Sequence, residues 1–245
     1  MGKSLLSAFG FLTSIRGSTS PSVKSARWFG LVGLMVGGFV GVVWVLGSRA
    51  TTPILGAVLA VTADVFATYG LHYDGIADCG DGLFAHLSRD RRLEVMRQPV
   101  IGAFGAMALV LTIILRVVAL GSVEPSVWLL IGIFSISRSL MALSLAVFTY
   151  ARAEGGMATA FAGSLSSWTD RVVWAVVLVV SVFIYLRCAG IYAGPVSLFL
   201  GLVAWFWFSK RGVRLLGGYT GDLVGGAGIL FETVALVALR VAVAR

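Results

Sequence analysis

The residues from His72 to Gly82 read His-Tyr-Asp-Gly-Ile-Ala-Asp-Cys-Gly-Asp-Gly and gather polar groups in an otherwise apolar chain. In a helix, Asp74, Asp78 and Asp81 stand at positions i, i+4 and i+7 and project from one face. Carboxylates this close repel one another and favour a shared cation, and oxygen ligands favour a hard divalent ion such as Mg²⁺. The segment therefore predicts a magnesium site on a helix, with a solvated acidic loop as the alternative.

Other residues of this segment would support the carboxylates. His72 and His86 are not spaced to share a metal with a cysteine or with another histidine. We therefore expect His72 to donate a hydrogen bond to a substrate or to carry a proton. Gly75, Gly80 and Gly82 permit the close approach of another backbone, or tight turns.

A second glycine-rich cluster, Leu-Gly-Gly-Tyr-Thr-Gly-Asp at residues 216–222, follows a basic turn at 210–214. Backbone amides in such a turn can bind phosphate, so Gly218, Thr220 and Gly221 are candidate phosphate contacts. Asp222 is a candidate fourth metal ligand. A hinge between two helices would have the same composition, and both interpretations stay open.

The composition predicts the elements that position these groups. Of the 245 residues, 58% are hydrophobic and 12% are charged, and the charged share is about half that of soluble domains. Several apolar runs approach or exceed the ~18 residues that can span a bilayer. We expect one all-α integral membrane domain over residues 1–245, a bundle of about seven (six to eight) transmembrane helices. The predicted spans are 28–47, 52–70, 100–120, 127–150, 172–190, 193–208 and 223–243.

The charge distribution predicts the orientation in the membrane. Most of the nineteen Lys and Arg residues fall in the N-terminal segment and in predicted loops 71–99, 151–171 and 209–222. The positive-inside rule places these segments in the cytoplasm, and most of the acidic residues accompany them. We expect a multi-pass protein of the cytoplasmic (inner) membrane whose active site faces the cytoplasm. The net charge of +8 suits membrane lipid and a polyanionic substrate, and we expect no nucleic acid partner.

Four charged residues lie more than three residues inside the ends of the predicted spans, namely Asp64, Arg116, Arg138 and Glu232. Such residues are costly in hydrocarbon and usually face the protein interior. We assign Asp64, Arg116 and Glu232 to structural ion pairs. For Arg138, an ion pair and a phosphate contact stay equally open.

Two segments have the pattern of surface helices. Residues 83–98 mix apolar positions with charges and predict an interfacial helix that Pro99 ends. This helix would close over the acidic segment or offer arginines, Arg97 among them, to a phosphate; a plain surface anchor is the alternative. The N-terminal residues predict an amphipathic surface segment with no cleaved signal peptide.

Small residues and cysteines carry structural predictions only. Gly33, Gly37 and Gly41 repeat at the four-residue spacing that is typical of close helix packing. Such packing is compatible with a homo-oligomer and with a monomer. Cys79 and Cys188 fall in different kinds of segment, so we expect both thiols to be free.

These features together suit phosphoryl or nucleotidyl transfer. In such reactions positioning and charge neutralisation do most of the catalysis. Metal ions can bridge a diphosphate and stabilise a departing nucleotide. The chain has no Gly-x4-Gly-Lys-Ser/Thr P-loop, so simple ATP hydrolysis is not indicated.

The acidic segment resembles the His-x-Asp-Gly-Leu-Ala-Asp-x-x-Asp-Gly signature of the cobalamin-5'-phosphate synthase family, also called adenosylcobinamide-GDP ribazoletransferases. The resemblance extends in order and spacing over nearly the whole chain. Further matching blocks are Phe11–Thr13, Arg27–Gly33, Ser88–Arg97, Ile101–Gly105, Ser137–Arg138, Tyr150–Gly156 and Leu216–Asp222.

The resemblance implies a membrane enzyme that joins adenosylcobinamide-GDP to alpha-ribazole or its 5'-phosphate and releases GMP, with Mg²⁺ as cofactor. One of the carboxylates or His72 would take the proton of the attacking ribazole hydroxyl. The metal ligands would be Asp74, Asp78, Asp81 and Asp222. The substrate and phosphate contacts would be Arg97, Arg138, Arg152, Gly218, Thr220 and Gly221.

The resemblance also has departures. Gln98 and Val100 stand where many family members have a carboxylate and an arginine. Ser14 lies in Thr-Ser-Ile-Arg where the family has Thr-Arg-x-Pro, and Ile229 stands where a glutamate is common. We assign no role to Gln98, Ser14 or Ile229, whereas the acidic segment matches in full.

Two other functions fit parts of the pattern. A CDP-alcohol phosphatidyltransferase-like enzyme also uses clustered aspartates in membrane helices to displace a nucleoside monophosphate. The chain lacks the Asp-Gly-x2-Ala-Arg continuation of that family, because Asp78 replaces the arginine. A transporter would distribute its polar groups along the spans toward the midplane, and here they gather on one side.

Overall fold

The structure is a computed structural model that describes residues 2–15, 22–152 and 157–243. Arg16 and the end of the Tyr150–Gly156 block lie outside these ranges. Over the described residues the chain forms ten α-helices and two short 3-10 helices, Val23–Trp28 and Met157–Phe161. The α-helices are α1 Gly2–Leu12, α2 Phe29–Ala50, α3 Pro53–Ala67, α4 Leu71–Phe84, α5 Arg89–Val95, α6 Ala103–Leu120, α7 Val127–Val147, α8 Trp168–Ala189, α9 Ala193–Leu216 and α10 Gly221–Val243.

Six helical segments are long and apolar enough to cross a membrane, and α3 with α4 adds a seventh candidate if the bent pair is one span. The six are α2 with its preceding 3-10 turn, α6, α7, α8, α9 and α10. The predicted polytopic helical bundle is therefore confirmed. Both cysteines are free, as expected.

The second predicted span, 52–70, is shorter than expected. It ends at Ala67, and α4 leaves α3 at an angle of 90°. Tyr69 (φ 54°) and Gly70 (φ 68°) are both in the left-handed region, which glycine adopts at little cost. The acidic segment thus lies on a separate helix, α4, as its spacing predicts.

Two predicted boundaries are wrong. The interfacial helix expected over 83–98 is restricted to α5, because α4 continues through Phe84 and an irregular segment follows. The basic turn at 210–214 is helical, because α9 continues to Leu216. Gly217 (φ 75°) then ends α9 in the left-handed conformation that is common after a helix.

Helices α7 and α10 form the centre of the bundle, since most residues of their apolar windows are buried. Helix α2 packs closely on α7 through the three glycines of its four-residue repeat. A β-carbon at Gly33 would lie 2.5 Å from the Phe134 carbonyl oxygen, and one at Gly41 would lie 2.8 Å from Val127 Cα. These glycines therefore serve packing within the chain and give no argument for a homo-oligomer.

Candidate active site

Helix α4 lies between α10 and α6, and its glycines allow the contacts. A β-carbon at Gly75 would lie 2.7 Å from the carbonyl oxygen of Asp222, and one at Gly80 would lie 2.8 Å from Gly105 Cα. At Gly82 a β-carbon would lie 2.5 Å from a side-chain carbon of Met96. The predicted close backbone approach is confirmed at Gly75 and Gly80, and it brings the acidic face of α4 to the start of α10.

Asp74 and Asp78 line one large cleft of about 1030 Å³. Asp74 is exposed and Asp78 is half-buried. Burial disfavours a negative charge on Asp78, and the nearby carboxylates of Asp222, Asp74 and Asp81 disfavour it further, whereas Arg152 favours it. The site therefore holds more negative than positive charge, as the spacing in α4 predicts.

Asp81 has a different environment from the other two aspartates of α4. Its carboxylate oxygens accept hydrogen bonds from the amides of Gly102 (2.6 Å) and Gly105 (2.8 Å), at the start of α6. A carboxylate at a helix N-terminus satisfies amides that have no partner within the helix. The structure thus gives Asp81 a capping role, which the helical spacing did not predict.

The described residues contain no group of three or more His, Cys, Asp or Glu side chains arranged to hold a metal ion. The donor types nevertheless fit Mg²⁺, which usually binds one or two carboxylates and completes its shell with water and substrate phosphate. Asp74, Asp78 and Asp222 supply such oxygens, and their charge excess favours a cation. Asp81 is the least suitable of the four predicted ligands, because two amides already occupy its oxygens.

A smaller cavity of about 110 Å³ lies beside the large cleft, and Phe11 and Leu71 line both. Its polar lining includes His72, Arg152, Gly221 and Asp222. The Arg152 guanidinium donates to the Asp222 carboxylate at 3.1 Å. Arg152 and Asp222 are therefore together, as the prediction of a shared phosphate and metal site requires.

The second glycine cluster forms the start of α10. The Thr220 hydroxyl accepts a hydrogen bond from the amide of Leu223 at 3.1 Å, which is the geometry of an N-cap. Thr220 is fully buried, and a β-carbon at Gly218 would lie 2.5 Å from the Thr149 carbonyl oxygen. Thr220 and Gly218 thus shape the turn, whereas Gly221 lines the small cavity.

Tyr219 joins this turn to the segment at Tyr150. Its amide donates to the Thr149 carbonyl at 2.8 Å, and its own carbonyl accepts from the Ala151 amide at 2.9 Å. The hydroxyl of Tyr219 donates to the Ala158 carbonyl at 3.2 Å. Burial raises the pKa of the Tyr219 phenol, so it remains a donor at neutral pH.

Arg89 connects three of the predicted loops. Its Nε donates to the Leu216 carbonyl at 2.9 Å, and its Nη2 donates to the Ala151 carbonyl at 3.2 Å. Arg27 pairs with Asp170 at 2.6 Å and so connects the N-terminal segment to predicted loop 151–171. All four segments that were predicted to share one side of the membrane are thus connected. Nothing in the sequence pattern indicated such a role for Arg89 or Arg27.

Arg138 lies in a buried ion network. It is 2% exposed and donates to Glu232 while lying 3.9 Å from Asp64. Arg116 donates to Asp64 at 2.9 Å and to Glu232 at 2.8 Å, and the Tyr73 hydroxyl donates to Asp64 at 3.0 Å. The structural ion pairs predicted for Asp64, Arg116 and Glu232 are confirmed. Of the two interpretations left open for Arg138, the structure supports the ion pair.

The large cleft includes residues for which the sequence predicts no role. The end of α1 contributes Phe11, Thr13 and Ser14, and the bend before α4 contributes Tyr69. Gln98 and Val100, the departures from the family pattern, also line it beside Arg97. The family match at Phe11–Thr13 was the one sequence feature that could have indicated a role for the end of α1. The placement of these residues at the cleft depends on tertiary packing, which the sequence pattern does not show.

Comparisons with known proteins give one consistent result. The model of the cobalamin-5-phosphate synthase family matches residues 4–240. A protein of Chlorobaculum parvum named adenosylcobinamide-GDP ribazoletransferase is 36% identical over 218 residues, covering 85% of this chain and 82% of its own. A protein of the same name from Clostridium novyi is 31% identical over 219 residues, covering 88% of this chain and 85% of its own. No solved structure matches the chain.

Proposed function

The chain belongs to the cobalamin-5-phosphate synthase family, and we propose that it is an adenosylcobinamide-GDP ribazoletransferase. Its substrates are adenosylcobinamide-GDP and alpha-ribazole or alpha-ribazole 5'-phosphate, and its products are adenosylcobalamin or its 5'-phosphate and GMP. The single observation that carries this assignment is the placement of Asp74, Asp78 and Arg97 in one cleft of about 1030 Å³. Such a cleft can take a bulky nucleotide-activated substrate and offers both carboxylates and a cation to its diphosphate.

The reaction is a displacement at phosphorus. The ribazole hydroxyl oxygen forms a bond to the phosphorus on the cobinamide side, and the bond from that phosphorus to the GMP oxygen breaks. The hydroxyl proton passes to a carboxylate of the cleft, Asp74 or Asp78, which acts as general base. We assign this proton to the aspartates and not to His72, because the imidazole is buried and lines the smaller cavity.

Mg²⁺ is the cofactor that the donor set suits. One or two of Asp74, Asp78 and Asp222 would hold it, with water and substrate phosphate completing its shell, and the general base would be a carboxylate that does not hold the metal. When bound, it would neutralise the diphosphate and the charge that develops on departing GMP. Arg97 lines the mouth of the cleft and Arg152 lies beside Asp222. These two arginines would contact phosphate, whereas Arg138 is engaged by Glu232.

The positive-inside pattern supports a site that opens to the cytoplasm, in the inner membrane. The exposed apolar side chains of α6 and α8, such as Leu111 and Val179, would face the lipid. We propose the whole chain as one transferase domain.

The experiment that tests this function measures GMP release by purified protein in nanodiscs. The protein receives adenosylcobinamide-GDP with and without alpha-ribazole 5'-phosphate, first with Mg²⁺ and then with EDTA. Release that requires both the ribazole and Mg²⁺ is the expected result. Folded protein that releases no GMP would contradict the transferase, and ribazole-dependent release in EDTA would contradict the metal requirement alone.

A further inference from the structure

The lining of the cavity of about 110 Å³ includes both aromatic and charged side chains. Phe11 and Phe29 line it with ring centroids 5.9 Å apart in a stacked arrangement, and Phe161 packs behind both at 4.6 Å and 5.3 Å. Met141 and Leu145 are among the aliphatic residues that also line it. Such walls favour a planar aromatic group, because ring faces and edges attract one another beyond simple area burial.

His72 lines the cavity and has one ring nitrogen without a hydrogen-bond partner among the described residues. The side chain is 3% exposed, and its Nε2 is buried without a partner among the described residues. A polar atom in this position is costly unless a ligand or water satisfies it. His72 lines the cavity, so a group bound there that reaches this nitrogen would satisfy it.

The surroundings of His72 decide whether this nitrogen donates or accepts. The other ring nitrogen, Nδ1, lies 3.4 Å from Nη2 of Arg138. A guanidinium can only donate, so Nδ1 accepts, and the proton of the ring must then be on Nε2. The ligand must therefore present a hydrogen-bond acceptor to Nε2–H.

We propose that this cavity binds the aromatic base of alpha-ribazole, and that His72 Nε2–H donates to the ring nitrogen of the base that carries no ribose. This inference rests on the proposed transferase function. A benzimidazole riboside is planar and largely apolar, and its unsubstituted ring nitrogen is an acceptor. Arg152, Gly221 and Asp222 also line the cavity and would contact the ribose and its phosphate.

The sizes of the two cavities support this division of the substrates. The neighbouring cleft is about 1030 Å³ and can take the bulky corrinoid nucleotide. The small cavity of about 110 Å³ is close to the ~150 Å³ of an apolar protein cavity that takes one benzene ring. The second ring of a benzimidazole therefore requires the flexible Met141 side chain to move aside. Phe11 and Leu71 line both spaces, so the two substrates would meet there, next to the carboxylates.

The first test measures binding to the wild-type protein in nanodiscs, with EDTA and without the corrinoid substrate. The two ligands are alpha-ribazole and the matching indole riboside, in which a C–H replaces the acceptor nitrogen. We expect alpha-ribazole to bind about tenfold more tightly, which is the effect of one hydrogen bond of ~1.4 kcal/mol. His72→Phe should remove this difference. Equal affinity of the wild type for the two ligands would overturn the proposal.

The second test fills the cavity. Ala158 lines it, whereas Ala162 in the next turn is exposed and serves as the matched control. Ala158→Leu should raise KM for alpha-ribazole about tenfold or more and leave KM for adenosylcobinamide-GDP unchanged, while Ala162→Leu changes neither.

Failure of the cavity proposal and failure of the function are distinguishable. GMP release in which Ala158→Leu affects only KM for adenosylcobinamide-GDP would overturn the cavity proposal and leave the transferase intact. Selective ribazole binding without any GMP release would support the cavity proposal and contradict the transferase. If Ala158→Leu does not fold, the affinities of the wild-type protein for alpha-ribazole and for the indole riboside decide the question.

Discussion

The backbones of Gly75 and Asp222 are in direct contact. A β-carbon at Gly75 would lie 2.7 Å from the carbonyl oxygen of Asp222 and 3.2 Å from its Cα. This contact sets the distance between the acidic face of α4 and the start of α10. The aspartates that repel one another in the site are therefore held together by backbone packing.

Gly75→Ala tests whether this contact controls activity. The added methyl group must push α4 away from α10, and a displacement of about 1 Å at a reacting centre can lower kcat by roughly 10- to 100-fold. Gly38→Ala is the matched control, because a β-carbon there meets only ordinary contacts, at 3.7 Å from Ile131. Steady-state GMP release by both variants checks the expectation. Equal kcat for the two would show that the spacing of α4 and α10 is not critical.

Asp78→Asn should abolish turnover. Asp78 is half-buried, and its carboxylate interacts electrostatically with those of Asp74, Asp81 and Asp222. In the proposed mechanism it is a metal ligand or the general base, and the substitution removes its charge. We expect GMP release to fall at least about 100-fold, with membrane insertion and thermal stability unchanged. Asp90→Asn, on the exposed side of α5, controls for charge removal. Retained activity at saturating Mg²⁺ would contradict the role of Asp78.

Asp81→Ala should behave as a stability variant. The change removes the carboxylate that caps α6 at Gly102 and Gly105, and loss of a helix cap costs about 1–2 kcal/mol. We expect lower thermal stability in detergent, together with an unchanged Mg²⁺ concentration for half-maximal GMP release in the folded protein. Asp78→Glu provides the contrast, since it should change the Mg²⁺ requirement. A large increase in the Mg²⁺ requirement of Asp81→Ala would restore Asp81 to the metal site.

The sequence predicted the acidic face of α4 because that face depends on local spacing alone. Asp74 and Asp78 are one helical turn apart, so any helix places them together. The capping role of Asp81 could not be predicted in this way. Its hydrogen-bond partners lie on another helix, more than twenty residues further along the chain.

Arg138 shows the same limit for buried charges. Hydropathy predicts that an arginine within a span faces the interior, but not which acid it meets. Glu232 is 94 residues away in sequence, and only the packing of α7 on α10 brings the two together. The bend between α3 and α4 was also missed, because a non-glycine residue such as Tyr69 gives little indication of a left-handed conformation.

Single and double substitutions of Arg138 and Glu232 test the buried network. Arg138→Met or Glu232→Met alone leaves an unpaired buried charge, which costs about 3–5 kcal/mol. The double variant restores neutrality, because Arg116 still balances Asp64. We therefore expect it to be more stable than either single variant in thermal unfolding in detergent. A folded Arg138→Met protein of normal stability that has lost affinity for the diphosphate substrate would instead assign Arg138 to phosphate binding.

Arg97→Gln tests whether Arg97 contributes to binding of the diphosphate in the large cleft. Arg97 is exposed and shares the cleft with Asp74 and Asp78, so its charge can attract the diphosphate as the substrate binds. We expect KM for adenosylcobinamide-GDP to rise about tenfold, or ~1.4 kcal/mol, with kcat nearly unchanged, since such a contact exists before and during the reaction. Arg91→Gln is the control, because Arg91 is exposed on α5 and pairs with Glu94 at 2.6 Å. A fall in kcat at unchanged KM would instead indicate that Arg97 acts on the transition state, which would place the reacting phosphorus at the mouth of the cleft.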